Sequence, residues 1–216
     1  MAKKTKAEAA EAEASPDSYP APAAQGQAEE RVERSRFLAL ARPISHETEA
    51  LSFLKEQREL HHKATHHCSA WRLGHPAHSR HFGASDDGEP SGSAGLPILR
   101  AIEGSGLSDV MVVVVRWYGG VKLGTGGLAR AYGSVARLAL EACPRGEVVE
   151  RELLKVSTPP DLMTQLRRLT QLHQAQESSL ERGEELTVEL LVPRSRREAL
   201  ALALKELFQG RGRVWS

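Results

Sequence analysis

The strongest pattern in the chain is an unbroken apolar run, Val110 to Val115, set between Asp109 and Arg116. It is rich in β-branched residues and does not alternate with polar ones. A short continuous run of this kind predicts a central strand covered on both faces. Arg116, Trp117 and Tyr118 follow where that strand should emerge. Gly119 and Gly120 permit backbone angles closed to other residues. Lys122, Gly124, Gly126 and Gly127 complete a glycine-rich turn, and a helix is predicted from near Gly127, with Thr125 placed to cap it. Leu128, Ala131, Tyr132, Val135, Leu138 and Ala142 recur at helical spacing and are assigned to the sheet-facing side. Arg130, Ser134, Arg137 and Glu141 fall on the opposite side.

The rest of the chain organises around that unit. Ser35 to Ile44 reads as a first strand, and Ser45 is placed to cap a helix with an apolar stripe at Ala50, Leu51 and Leu54. Thr65 to Leu73 reads as a second strand, followed by a polar loop from Gly74 to Arg80. Ala84 to Gly95 is a loop by composition, and a helix is predicted from Gly95 to Glu103. Pro144 and Gly146 form a linker. Beyond it come a strand at Val148–Ser157, a helix opened by Pro159 or Pro160, strands at Ala175–Leu180 and Leu186–Val192, a helix after Ser195 and a last strand at Gly210–Trp215. That order, βαββαβ, is the ferredoxin-like plan. The fold class read from the sequence is therefore α+β, with a disordered tail at 1–30, a first domain at 31–145 and a second at 146–216. The tail assignment rests on composition: Ala, Glu, Lys and Pro offer too little apolar surface to offset the entropy of ordering.

Composition narrows the function classes. Net charge is +1, so no global field draws the chain to nucleic acid or membrane, and any such contact must be local. Cys68 and Cys143 are the only cysteines, and no secretory apolar segment is present, which points to the reduced cytoplasm. No apolar run approaches the ~18–20 residues needed to span a bilayer.

Three clusters carry candidate chemistry. Strand end, glycine turn and helix N-terminus should gather N–H donors beside cations, a setting for phosphate or carboxylate. Its members are Arg116, Tyr118, Gly119, Gly120, Lys122, Gly124, Gly126, Gly127 and Arg130. The competing explanation is a turn whose glycines serve only close packing. The acidic loop holds Asp86, Asp87, Glu89 and Ser91. Its carboxylates can serve as general base or cation ligands. Alternatively, Asp87 with Ser91 or Ser93 bonds the loop backbone and caps the next helix. Seven histidines between His61 and His81 raise a metal site with Cys68. Their spacing fits no zinc pattern, and His66 and His67 point to opposite faces of a strand. No metal or cofactor is expected, and His66 is kept as a pocket histidine. Arg167, Arg168, Arg194, Arg196 and Arg197 in the second domain are read as solvated helix faces.

The segments SDDGEPSGSAGLPIL (Ser85–Leu99) and VVVVRWYGGVKLGTGGLARAYG (Val112–Gly133) closely resemble the IMPACT/YigZ family, as do the SRF at Ser35–Phe37 and the T-H-x-C at Thr65–Cys68. The similarity covers Glu33 to Leu140. Trp117 stands where family members more often carry Tyr or Phe. The resemblance implies a first domain like domain 2 of ribosomal protein S5 and the fourth domain of elongation factor G. It implies a second domain like the fifth domain of that factor, in a bacterial layout. Eukaryotic relatives act in translation control through a protein partner. For this layout the resemblance implies binding to RNA or the ribosome, with no catalytic residues to carry over. The leading expectation is a non-enzymatic binding protein that regulates translation, with Tyr118 or Trp117 stacking on an exposed base. The alternatives are an enzyme on a small phosphorylated or acidic substrate, favoured if the two polar loops share one cleft, and a protein–protein adaptor.

Overall fold

The computed structural model describes residues 15–182 and 186–215. The chain divides into two compact units, Tyr19–Val148 and Val149–Ser216, the second joined by residues 15–18. Both mix helices with antiparallel sheets.

The first unit runs β1 (Ser18–Pro22), β2 (Gly26–Val32), β3 (Ser35–Pro43), α1 (Glu47–Leu60), β4 (His66–Leu73), β5 (His81–Ser85), α2 (Gly95–Ser105), β6 (Val110–Trp117), α3 (Gly124–Glu141) and β7 (Arg145–Val149). Five strands form an antiparallel sheet in the order β2-β3-β6-β4-β5, and β1 pairs with β7. β6 is the central strand the apolar run predicts, buried from Val110 through Arg116. Val110, Val112 and Val114 pack with Ile98 and Tyr132 under α2 and α3. Met111, Val113 and Val115 face Ala50 and Phe53 of α1. Each such side chain contributes roughly 1.5–3 kcal/mol by leaving water.

Register then sets the row that matters for function. Arg116 lies directly opposite Phe37 of β3 and His66 of β4. Directly opposed residues share a face of the sheet. Phe37, Arg116 and His66 therefore form a row at the sheet's end, on the α3 side, while His67 turns to the α1 side.

Two sequence expectations need correction. Residues 18–32 form strands β1 and β2 rather than a disordered tail; residues 1–14 lie outside the described residues. Tyr19 and Ala21 are buried, and the Tyr19 hydroxyl donates to Asp109 Oδ2 at 2.6 Å. β2 pairs with β3 along its whole length, from Gly26 opposite Ala41 to Val32 opposite Ser35. An edge strand is held by backbone bonds and needs few apolar side chains, so composition does not reveal it. The helix caps also differ. α3 begins at Gly124 and α1 at Glu47, and neither has a side-chain cap from Thr125 or Ser45.

The second unit runs β8 (Arg151–Thr158), α4 (Met163–Leu172), β9 (Gln176–Arg182), β10 (Leu186–Pro193), α5 (Arg197–Phe208) and β11 (Arg213–Trp215). Its antiparallel sheet has the order β11-β8-β10-β9. Leu166, Leu200, Leu204 and Phe208 of the two helices pack on Leu154, Val156, Val188 and Leu190. Among the described residues, no helix is long and apolar enough to cross a membrane.

Residues 15–18 are tied into this second unit by Asp17, which is 3% exposed. Its Oδ1 accepts the Ser195 N–H at 2.7 Å and its Oδ2 accepts the Ser195 hydroxyl at 2.5 Å. Ser195 sits in the single turn that leads into α5. Replacing Asp17 by Ala should cost about 1–2 kcal/mol, the worth of a lost helix cap. Hydrogen exchange of the α5 amides is the readout. Unchanged protection there would show that Asp17 plays no part in holding the helix.

Candidate functional site

Arg116 ends the buried run of β6 and is itself only 4% exposed. A guanidinium cannot be neutralised in this setting, so its charge must be matched locally. Glu89 of the acidic loop supplies the match: Arg116 Nη1 donates to Glu89 Oε1 at 2.6 Å. The same oxygen accepts the Tyr132 hydroxyl of α3 at 2.7 Å. Ser35 Oγ accepts from Arg116 Nη2 at 3.2 Å and from the Gly119 N–H at 3.3 Å. The Phe37 ring lies 5.3 Å from the guanidinium carbon and meets the Tyr132 ring edge-on at 5.2 Å. Three elements, β6, β3 and α3, and the acidic loop thus meet on one ion pair.

The remaining acidic side chains are also tied inward. Asp86 accepts three backbone N–H groups, from Gly92, Ala94 and Gly95, at 2.8–2.9 Å. It therefore fixes the start of α2, the role the sequence offered to Asp87. Burial resists ionisation of Asp86, but the N–H groups of Gly92, Gly95 and Ala94 outweigh it and hold the carboxyl below its ordinary value. Asp87 has a positive φ of 44°. Its Oδ1 accepts from Arg58 at 2.6 Å and its Oδ2 from the His67 N–H at 2.6 Å. Ser91 is exposed. The thiol of Cys68 donates to the Asp86 carbonyl at 3.0 Å, and burial pushes its pKa up to about 12. It stays a thiol at neutral pH and is a poor metal ligand. No group of three or more His, Cys, Asp or Glu among the described residues is placed to hold a metal ion.

Beside this framework opens a cavity of about 490 Å³. Thr65, His66, Glu89 and Pro90 line one side; Tyr118, Lys122 and the first turn of α3 line the other. Both polar loops singled out in the sequence meet here. His66 Nδ1 donates to the Asp87 carbonyl at 2.8 Å, since a carbonyl can only accept. Its Nε2 is left 3.9 Å from Glu89 Oε1. Tyr118 is 46% exposed, and its backbone N–H is pinned by Thr65 Oγ1 at 3.0 Å. Lys122 is exposed and makes no ion pair among the described residues. Gly120 and Gly124 adopt φ of 86° and 67°, as the turn needs. Gly119 is required for another reason: a methyl there would lie 1.9 Å from the Arg34 carbonyl oxygen.

The structure takes Arg116 out of the cation cluster expected of the sequence and sets Arg130 just outside the cavity. Arg116 touches the cavity, but Glu89 holds its charge. Arg130 does not line the cavity; with Lys122 and Gly127 it lines a neighbouring depression that also holds Glu30 and Glu33, and it reaches the α2–α3 side as well. Gly126 and Gly127 lie inside the first turn of α3. Sequence reasoning missed Ser35, Thr65 and Tyr132 as site builders. Tyr132 carried a signal, because a tyrosine in an apolar stripe still needs a partner for its hydroxyl.

Two outcomes follow from the framework. Glu89→Ala leaves a charged guanidinium buried without its partner and should cost about 3–5 kcal/mol in urea unfolding. The double variant Glu89→Ala/Arg116→Met should recover most of that loss; an equal loss would locate the cost elsewhere. For Asp86, a depressed folded pKa means its stabilisation is complete above the ordinary value of 3.8 and fades as pH falls through the folded value. The stability gap between wild type and Asp86→Ala should be flat at neutral pH and close only below that value.

The residues of this framework lie within a segment shared with known proteins. The Impact N-terminal domain family matches residues 33–140. An IMPACT family member of Haemophilus influenzae is 37% identical over 185 residues, 85% of this chain and 89% of that protein. The IMPACT family member YigZ of Escherichia coli is 44% identical over 124 residues, 57% of this chain and 61% of that protein. A crystal structure described as that of a hypothetical protein superposes with a TM-score of 0.72 at 30% identity, over 93% of this chain and 97% of its own. The chain belongs to the IMPACT family.

Proposed function

We propose that this protein is a non-enzymatic, cytoplasmic RNA-binding protein that acts at the ribosome in regulating translation. The observation that carries this reading is the mouth of the cavity. There an exposed aromatic (Tyr118), a lysine with no ion pair among the described residues (Lys122) and the uncapped first turn of α3 lie together. A phosphate seats over the first-turn N–H groups, Lys122 adds charge, and Tyr118 offers a face to an unpaired base. Family membership supports the link to translation, because the resemblance implies it. We read the first unit as S5 domain 2-like and the second as ferredoxin-like. The central position of the first and third strands of the second sheet, β8 and β10, supports the latter.

One observation favours a second reading, an enzyme on a small phosphorylated substrate. The acidic loop and the glycine turn share one cavity, and His66 presents Nε2 toward it with Nδ1 fixed by a carbonyl. A histidine so oriented can exchange a proton with a bound ligand.

Titration of short single-stranded RNA at several salt concentrations tests the first reading. Tyr118→Ala should cost about 1–3 kcal/mol of affinity through lost stacking. Lys122→Ala should lower the slope of log K against log salt by about one. Absence of binding by wild type at low salt would end the RNA reading. Turnover of a phosphorylated metabolite, abolished by His66→Ala, would establish the enzyme instead.

A further inference from the structure

The helical face of the first unit carries a second cationic feature, separate from the cavity. A groove of about 590 Å³ runs between α2 and α3. Arg100 of α2, Arg130 and Arg137 of α3, and Arg145 at the start of β7 line it, and all four are exposed. The acidic lining residue is Glu141, which Arg137 Nη1 holds at 2.6 Å. Four positive charges against one negative leave a local surplus of three, in a chain whose whole net charge is +1. Arg100 and Arg130 make no ion pair among the described residues. Arg130 and Arg137 stand seven residues apart, so they recur on one side of α3 about 10 Å apart.

The rest of the lining decides what such a groove can hold. Ala101, Gly104, Ala129 and Gly133 present almost no side chain. A Cβ on Gly104 would meet nothing within 4 Å. No aromatic or large aliphatic residue lines the groove. A peptide would find no pocket for a large apolar anchor, and an unpaired base would find no aromatic ring to stack on. What remains is a bare cleft flanked by guanidinium forks, which fit phosphate oxygens in pairs; Arg137 already holds Glu141 and Arg145 donates to the Ser105 carbonyl at 3.1 Å, so each offers its remaining N–H groups. Base-paired RNA suits it, because that RNA hides its bases and offers phosphates and shape.

We propose that the α2–α3 groove binds the phosphate backbone of a base-paired RNA segment through Arg100, Arg130, Arg137 and Arg145, without reading sequence. The proposal takes its ligand class from the RNA reading of the cavity and adds a second contact surface to it.

The test uses the full chain, two short RNA duplexes of unrelated sequence, and a single strand of equal length. Both duplexes should bind alike. Arg100→Gln/Arg130→Gln should lower the salt slope for duplex by about two. Gly104→Glu should weaken duplex binding while Gly104→Ala leaves it at the wild-type level, since a Cβ there meets nothing within 4 Å. Tyr118→Ala should affect the single strand alone. Wild-type affinity and slope in both groove variants would overturn the proposal, as would tighter binding of poly-glutamate than of duplex at matched charge, which would mark an acidic-peptide groove. Single-strand binding without duplex binding would remove the groove and leave the cavity reading standing. Duplex binding lost in the groove variants, with no single-strand response to Tyr118→Ala, would do the reverse.

Discussion

One buried ion pair organises the first unit. Arg116 and Glu89 sit almost out of water, and each makes the other tolerable. Such a pair adds little net stability over an apolar pair of equal volume, because both ions lose their hydration. What it supplies here is a fixed arrangement. The end of β6, the acidic loop, α3 through Tyr132 and β3 through Ser35 must all be in register for the charges to meet. Ser35 also accepts the Gly119 N–H, so the glycine turn is held by the same net. The mouth of the cavity is therefore built on charges that cancel one another.

This arrangement divides the polar residues into two kinds. Asp86, Asp87, Glu89 and Arg116 turn inward and hold backbone, each other or Arg58. Tyr118 and Lys122 turn outward on a turn that packs at Gly119 directly against the Arg34 carbonyl. His66 stands between the two kinds. One ring nitrogen is committed to the Asp87 carbonyl and the other faces the cavity wall at Glu89. A rigid inner framework with a few outward groups is the form a preorganised binding site takes.

The sequence made the framework's backbone legible and its charge pairing illegible. The apolar run at Val110–Val115 named the central strand, because only two-sided burial explains a run without alternation. Element order in the second unit was equally readable from helical and strand periods. Residues 18–30 were not, because β2 is an edge strand fixed by pairing to β3 rather than by its own apolar content. Nothing in linear order says that Glu89 meets Arg116, 27 positions away, or that Asp86 rather than Asp87 reaches the start of α2. A charge next to a glycine turn reads as a ligand contact until the fold shows which charges have already found one another. Arg130 does stay beside Lys122 and Gly127, but in a depression next to the cavity that Glu30 and Glu33 share, a division that linear order does not show.

A near-neutral chain proposed to bind a polyanion looks contradictory, and the ion pairs remove the contradiction. Twenty-nine basic residues face twenty-eight acidic ones, so the far field is weak. Binding depends on charge within about a Debye length of the ligand, roughly 8–10 Å, and not on the sum. Glu29 is held by Arg36, Glu56 by Arg42, Asp87 by Arg58 and Glu177 by Arg167, so these carboxylates are locally cancelled. The cations without partners among the described residues then weigh more than their number suggests where they gather, at Lys122 and along Arg100 and Arg130. Weak long-range attraction together with strong contact-range attraction favours a ligand already delivered close by over long-range capture from dilute solution. That is the condition met by a protein that works on the surface of a large RNA assembly.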